Sequence, residues 1–213
     1  MHSGKFISFE GSEGCGKSTQ IDRLTKRLEN LKIDVIHTRE PGGTDLGESI
    51  RHLLQHAPEG ENMTPESELL LFASSRAQLV REVIAPAIKK GTYVIADRFL
   101  DSTSIYQGVA RGTDESFLSH VHNFTVGDYY PNCTFLLDIS VEEGRKRIES
   151  RSGGELDRME REPDSFFEKV RSGYLNLADS EPERFEVLDG SLSVDVIEAQ
   201  IWEKLVKKYG IGS

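Results

Sequence analysis

The chain has 213 residues, 37 % hydrophobic and 29 % charged, with 36 acidic side chains against 26 basic ones and a formal net charge of −10. That length predicts one domain, able to bury about 70 % of its unfolded surface without a disulfide or metal to hold it, and the balance is that of a globular chain rather than a disordered or fibrous one. The acidity argues against a general nucleic-acid or membrane-surface binder, and no apolar run nears the ~18 residues of a membrane span.

From the N-terminus, a short apolar run predicts a strand over Phe6–Phe9; it meets Glu10 too soon to be a secretory signal. Next comes Gly11-Ser12-Glu13-Gly14-Cys15-Gly16-Lys17-Ser18-Thr19, and a helical pattern over Lys17–Leu31 that carries Gln20, Leu24 and Leu28. Strand, glycine-rich loop and helix together satisfy G-x-x-x-x-G-K-[ST]. Glycines let backbone N–H groups turn inward around a polyphosphate, and the helix N-terminus adds partial positive charge. Lys17 is suited to reach the β- and γ-phosphates and Ser18 to offer its hydroxyl to Mg²⁺, so residues 11–19 are the expected ATP cradle. Cys15 is expected as a small residue that tolerates the tight turn, in preference to a reactive thiol. Cys15 and Cys133 are too few for a bridged framework and fit a reducing, cytoplasmic compartment.

A second strand is expected over Val35–Thr38, then the stiff turn Arg39-Glu40-Pro41-Gly42-Gly43-Thr44 and a helix over Leu46–Gln55. A long helical pattern covers Pro65–Lys90, with Leu69, Ala73, Ala77, Val80, Ile84 and Ile88 in one stripe. Pro86 should kink or shorten it, and Gly91 should stop it. Phe72 and Arg76, i and i+4, share a face. Composition alone favours a core Phe beside a surface Arg; the alternative is an aromatic platform and planar donor for a nucleobase.

The third strand, Tyr93–Ala96, runs into Asp97-Arg98. Open α/β sheets bind ligands beyond the carboxyl ends of their strands. Asp97 is there suited to the metal shell of a P-loop nucleotide and Arg98 to a phosphate; a surface ion pair is the other reading. Ser102, Thr103, Tyr106 and Gln107 follow, groups that read a base edge and a sugar or else cap a helix. In the helix expected over Asp114–Val126, His120 and His122 are two apart, on different faces, and make no metal site. The remainder predicts a strand over Thr134–Asp138, a helix over Val141–Ser150, a charged stretch from Arg151 to Pro163, a helix over Ser165–Ala178, a strand over Phe185–Leu188 and a helix over Val194–Lys208. Composition allows Arg151–Pro163 to be a solvated loop or a mobile lid. The whole pattern is an α/β P-loop NTPase fold, with five parallel strands flanked by helices.

Together these residues resemble the bacterial thymidylate kinases, which phosphorylate dTMP to dTDP with ATP in dTTP biosynthesis. The likeness runs from Lys5 to about Asp189. It rests on Phe9-Glu10-Gly11 leading into the P-loop, Thr38 to Thr44, Leu71-Phe-Ala-Ser-Ser-Arg-Ala-Gln78, Asp97-Arg98, Ser102-Thr103 with Tyr106-Gln107-Gly108, and Leu156-Asp-Arg-Met-Glu160. The P-loop alone indicates only a nucleoside triphosphate; other small P-loop kinases lack the Arg-Glu-Pro-Gly-Gly turn and the Tyr-Gln-Gly segment.

The resemblance implies that Phe72 stacks on thymine while Arg76 and Thr103 hydrogen-bond its edge. Arg51 and Arg98 would bind the acceptor phosphate, with Glu13 and Glu40 near the sugar and that phosphate. Tyr106 would crowd the 2′ position, and Ser102 and Gln107 would border the pocket. It also implies Mg²⁺ and a homodimer, with no nucleic-acid or membrane partner. Cys15 stands where Ala or Ser is commoner, and Pro131-Asn132 where Pro-Asp is usual. Some relatives place an arginine after the P-loop acid; this chain has Glu13-Gly14. The missing cation is expected from the lid, with Arg151 ahead of Arg158 and Arg161 third, and Gly153 and Gly154 allowing the bend. A deoxynucleoside kinase, the runner-up, phosphorylates a neutral hydroxyl and has less use for Arg51 and Arg98. A P-loop switch protein would carry an Asn-Lys-x-Asp guanine reader, which is absent from the chain.

Overall fold

The computed structural model describes residues 4–152 and 156–212; Gly153, Gly154 and the side chains of Arg151 and Ser152 lie outside the described residues. Among these residues β1 (Phe6–Glu10), β2 (Val35–Arg39), β3 (Tyr93–Asp97), β4 (Cys133–Asp138) and β5 (Phe185–Asp189) form one parallel sheet in the order β2-β3-β1-β4-β5. Most strands run one residue past the expected apolar run, because the polar residue that follows still pairs: Phe9 is opposite Asp97, Arg39 opposite Asp97, and Asp138 opposite Asp189. Charged side chains are thereby delivered to the carboxyl edge of a sheet whose central strands are buried.

Both faces are covered, as a parallel sheet requires. Alternation sends Ile7, Phe9, Phe135 and Leu137 to one side, against α1 (Lys17–Asn30) and α9 (Val194–Tyr209). Phe6, Val94 and Ala96 face the other side, against the helices built from Pro65 onward. Those begin with α3 (Pro65–Leu79), capped by Thr64 Oγ1, which accepts from Ser67 N. Pro86 does not end the helix. A π turn at Val80–Ile84 precedes α4 (Ala85–Lys89), where the wider bonding pattern accommodates the N–H that proline lacks. Gly91, at φ 85°, closes it as expected.

α2 (Asp45–Gln55) starts at the Thr44 cap, and α6 (Glu115–Val126) at the Asp114 cap. α7 (Val141–Ser152) extends two residues past its expected end, and α8 (Asp164–Ser180) outruns its expectation at both ends. Two helical segments were not expected as elements: a 3-10 turn at Pro58–Gly60, and α5 (Leu100–Thr103) running into a π turn at Ser104–Ala110. Residues 156–162 are not a solvated loop. Met159 and Glu160 are buried, and Asp157 Oδ1 accepts from the N–H groups of both at 2.8 Å.

Candidate active site

A cleft of about 460 Å³ opens at the carboxyl edge of the sheet, beside the P-loop. That volume suits a small-molecule site. Gly11, Gly14 and Gly16 bring the P-loop there with φ of 136°, 75° and 96°, conformations that side chains resist. Space agrees with torsion: a Cβ on Gly11 would sit 2.4 Å from Leu137 O, and one on Gly14 2.6 Å from Gly144 O. The cap of α1 is Gly16, with no side-chain cap bond, whereas Thr44, Thr64, Asp114 and Ser193 supply one to α2, α3, α6 and α9. The first-turn N–H groups of α1 are therefore left for an anion.

Lys17 Nζ lies across this loop, 3.2 Å from Gly11 O and 3.1 Å from Ser12 O. Cys15 is buried beneath it with Sγ 3.5 Å from Nζ. Thr19 and Ser18 follow on the cleft wall. Ser18 Oγ donates to Asp97 Oδ2 at 3.1 Å, so a hydroxyl and a carboxylate converge from α1 and β3.

Next to Asp97, Arg98 adopts φ 69°, unusual for a side-chain-bearing residue. Its Nη2 donates to Glu13 Oε1 at 2.6 Å and its Nη1 to Ser102 Oγ at 3.1 Å, with the Tyr106 and Tyr174 hydroxyls each at 3.3 Å. Burial opposes the charge, but Glu13, the two tyrosines and Glu10 outweigh it and hold the guanidinium firmly protonated. Glu10, at the end of β1, accepts from Phe99 N, Ser102 Oγ and Tyr174 Oη at 2.7–2.8 Å. Burial, assisted by Asp101, raises its carboxyl to about 7. Asp97-Arg98 is thus not a local surface ion pair: Asp97 meets Ser18, while Arg98 meets Glu13 and Ser102.

Arg76 overturns the surface reading of that residue. It is 0 % exposed, whereas Phe72 is half-buried and lines the cleft. Arg76 Nε donates to both oxygens of Glu40 at 3.1 and 2.9 Å, and Nη2 donates to Thr103 Oγ1 at 2.6 Å. Burial raises the Glu40 carboxyl to about 7, a pull that Arg76 only partly offsets. Arg51 Nη1 donates to Pro41 O at 3.1 Å; burial and the nearby Arg39 charge lower its pKa. Gln107 joins Tyr106 in the lining, its Nε2 donating to Glu68 at 2.8 Å.

His122, dismissed as a metal ligand, packs behind Arg76. Its Nδ1 is 3.4 Å from Arg76 Nη1 and its Nε2 2.9 Å from Ser104 Oγ. Arginine can only donate, so Nδ1 accepts and Nε2–H donates to Ser104. Burial and the Arg76 charge push this imidazole down to about 3. Unfolded, it titrates near 6.5. Between those values the unfolded chain binds the extra proton, so stability is lost as pH falls, by up to about 1.4 kcal/mol per unit. Glu10 and Glu40, raised to about 7, bind protons first in the folded state and act oppositely between 4.5 and 7. The difference between wild type and His122→Gln isolates the imidazole. Urea unfolding from pH 6.5 down to 4.5 should cost the variant less stability than wild type; equal losses would contradict the buried neutral imidazole.

Of the three lid arginines expected to supply a cation, two are placed elsewhere and the side chain of the third is not described. Arg158 is not part of the cleft lining: its Nη2 pairs with Glu68 at 2.6 Å and its Nε donates to Leu54 O at 2.8 Å. Arg161 pairs with Glu61 at 2.8 Å on the surface. Arg151 is in the last turn of α7, and its side chain lies outside the described residues. Sequence reasoning missed Arg147, which lines the cleft, donating to Gly190 O at 3.1 Å and approaching Gly14 O at 3.5 Å. The signal was its i, i+4 relation to Arg151, which gives the two one helix face. Arg39 at the cleft and Tyr174 behind Arg98 were also missed.

The family model described as thymidylate kinase matches residues 9–201. A thymidylate kinase of a Marinomonas species is 46 % identical over 204 residues, covering 96 % of this chain and 95 % of its own. One from Kosmotoga olearia is 44 % identical, covering 97 % and 99 %. The crystal structure of thymidylate kinase from Ehrlichia chaffeensis superposes with a TM-score of 0.78 at 31 % identity, over 95 % of this chain and 99 % of that one.

Proposed function

The chain belongs to the thymidylate kinase family, and from that premise we propose how its cleft transfers the γ-phosphoryl group of ATP to dTMP. The activity is ATP-dependent phosphorylation of dTMP to dTDP. One feature carries the assignment of residues: the cleft is lined by Lys17 beside the open α1 N-terminus and also by a second set of cations, Arg98 and Arg51. A nucleotide donor needs the first; only an acceptor that already bears a phosphate needs the second.

Phe72 supplies the face on which thymine stacks, and Arg76 and Thr103, fixed by Glu40 and His122, present its edge readers. Tyr106 borders the sugar, and Glu13, Ser102 and Gln107 complete that wall. An oxygen of the dTMP phosphate bonds to the γ-phosphorus while the bond from that phosphorus to the β–γ bridging oxygen breaks, and ADP leaves with the electron pair. The reaction demands positioning and charge neutralisation more than covalent chemistry. Ser18 and Asp97, oxygen donors 3.1 Å apart, fit a hard divalent cation such as Mg²⁺. When bound with ATP, it neutralises phosphate charge.

A cytoplasmic homodimer belongs to this reading. Among the described residues no helix is long and apolar enough to cross a membrane. Leu70 on α3 and Phe117 and Phe124 on α6 are exposed apolar side chains on neighbouring helices, Phe124 at 83 %. Such a surface suits a second copy of the chain.

Calorimetric titration of dTMP into Arg98→Ala tests the acceptor assignment. Loss of a charge-assisted grip worth about 1.5–3 kcal/mol should weaken dTMP roughly 10- to 150-fold and lower turnover. Unchanged affinity would remove Arg98 from the acceptor site.

A further inference from the structure

Glu68 stands one turn before Phe72 and two before Arg76 on α3, so the three follow one helix face. It is 1 % exposed. Gln107 Nε2 reaches its carboxylate at 2.8 Å, Arg111 Nε at 2.9 Å, Arg111 Nη2 at 3.2 Å and Arg158 Nη2 at 2.6 Å. These groups come from the π turn that lines the cleft, from its exit, and from residues 156–162. Arg111 Nη2 also donates to Glu162 Oε1 at 2.8 Å, and Arg158 holds α2 by its Nε to Leu54 O and its backbone N–H to Gln55 O. Two arginines thus face two glutamates, a balance that requires Glu68 ionised. Burial alone would raise its carboxyl; the Arg111 and Gln107 hydrogen bonds and both arginine charges hold it below the usual range.

A carboxylate only accepts hydrogen bonds, so Gln107 must turn an N–H toward Glu68, which fixes the end of the amide that carries the oxygen. We propose that Glu68 is a positioning residue of the acceptor site: one buried carboxylate sets the Gln107 amide in the cleft wall and fastens residues 156–162 across α2. The inference rests on the acceptor site assigned above and adds to it a residue that touches no substrate. Lys17, Ser18 and Asp97, on the donor side, are not partners of this cluster. Its effect therefore divides between the two substrates.

Glu68→Gln is nearly isosteric but removes the charge, leaving Arg111 with Glu162 and taking from Arg158 the carboxylate it pairs with. Steady-state kinetics should show the KM for dTMP raised about tenfold while the KM for ATP stays within roughly twofold. Trypsin should cut after Arg158 and Arg161 about tenfold faster than in wild type, since the fastened segment opens more often. Arg158→Gln separates the two roles: cleavage after Arg161 accelerates likewise, but the KM for dTMP rises less because Gln107 keeps Glu68. An unchanged KM for dTMP in folded Glu68→Gln, or equal rises for both substrates, overturns the proposal. Should Glu68→Gln not fold, unaccelerated cleavage after Arg161 in Arg158→Gln overturns it. Wild-type enzyme that fails to select dTMP would indict the acceptor assignment instead, and the protease rates would still decide whether Glu68 fastens the segment.

Discussion

Replacing Lys17 with alanine is expected to lower kcat about 10³-fold, roughly 4 kcal/mol of transition-state stabilisation, while dTMP binds within about twofold of wild type. The ammonium lies against the carbonyls of Gly11 and Ser12, inside a loop whose glycines leave no room for a side chain at positions 11 and 14. It is thus held where phosphate charge accumulates, and moving it into place costs little at the moment of transfer. In the proposed assignment Arg98 and Arg51 hold the acceptor phosphate, so removal of Lys17 should leave dTMP affinity intact. Rapid-quench turnover together with dTMP titration of the variant checks both halves. A kcat within tenfold of wild type would mean that the α1 N-terminus alone neutralises the donor phosphates.

The parallel sheet was legible because its central strands are buried on both faces and read as short, largely apolar runs such as Phe6–Phe9 and Thr134–Leu137. The P-loop was legible because its spacing is dictated by phosphate geometry. Less visible was the segment from Leu100 to Ala110, whose buried Asp101, Thr103 and Gln107 serve the cleft and neighbouring arginines and so spoil the apolar stripe that announces a helix. Its π turn has no sequence period of its own to betray it.

Buried charges hid the most. Arg76 looks like a surface residue until Glu40, 36 positions earlier, is seen to meet it across two elements. Glu68, Arg111 and Arg158 are equally remote in sequence, so the charge density from Arg151 to Pro163 suggested solvent where Arg158 is in fact anchored. Tyr174 behaves alike: it sits on the far side of the lid stretch from Arg98, yet its hydroxyl joins Glu10, Ser102 and Arg98 in one network. Pairings of this kind are set by tertiary packing, and one chain's sequence offers no period or spacing from which to infer them.

Turnover of ATP across a panel of acceptors tests the central claim most directly. In the proposed assignment Phe72, Arg76 and Thr103 select a pyrimidine, Tyr106 disfavours a 2′-hydroxyl, and Arg98 and Arg51 call for a phosphate on the acceptor. With ATP and Mg²⁺ in a coupled assay, dTMP should be the best acceptor and dUMP weaker. AMP, GMP and CMP should stay near background, at least about 10²-fold below dTMP in kcat/KM. Thymidine, which offers no phosphate to the acceptor wall, should be turned over far more slowly than dTMP. Faster phosphorylation of thymidine than of dTMP would contradict the account.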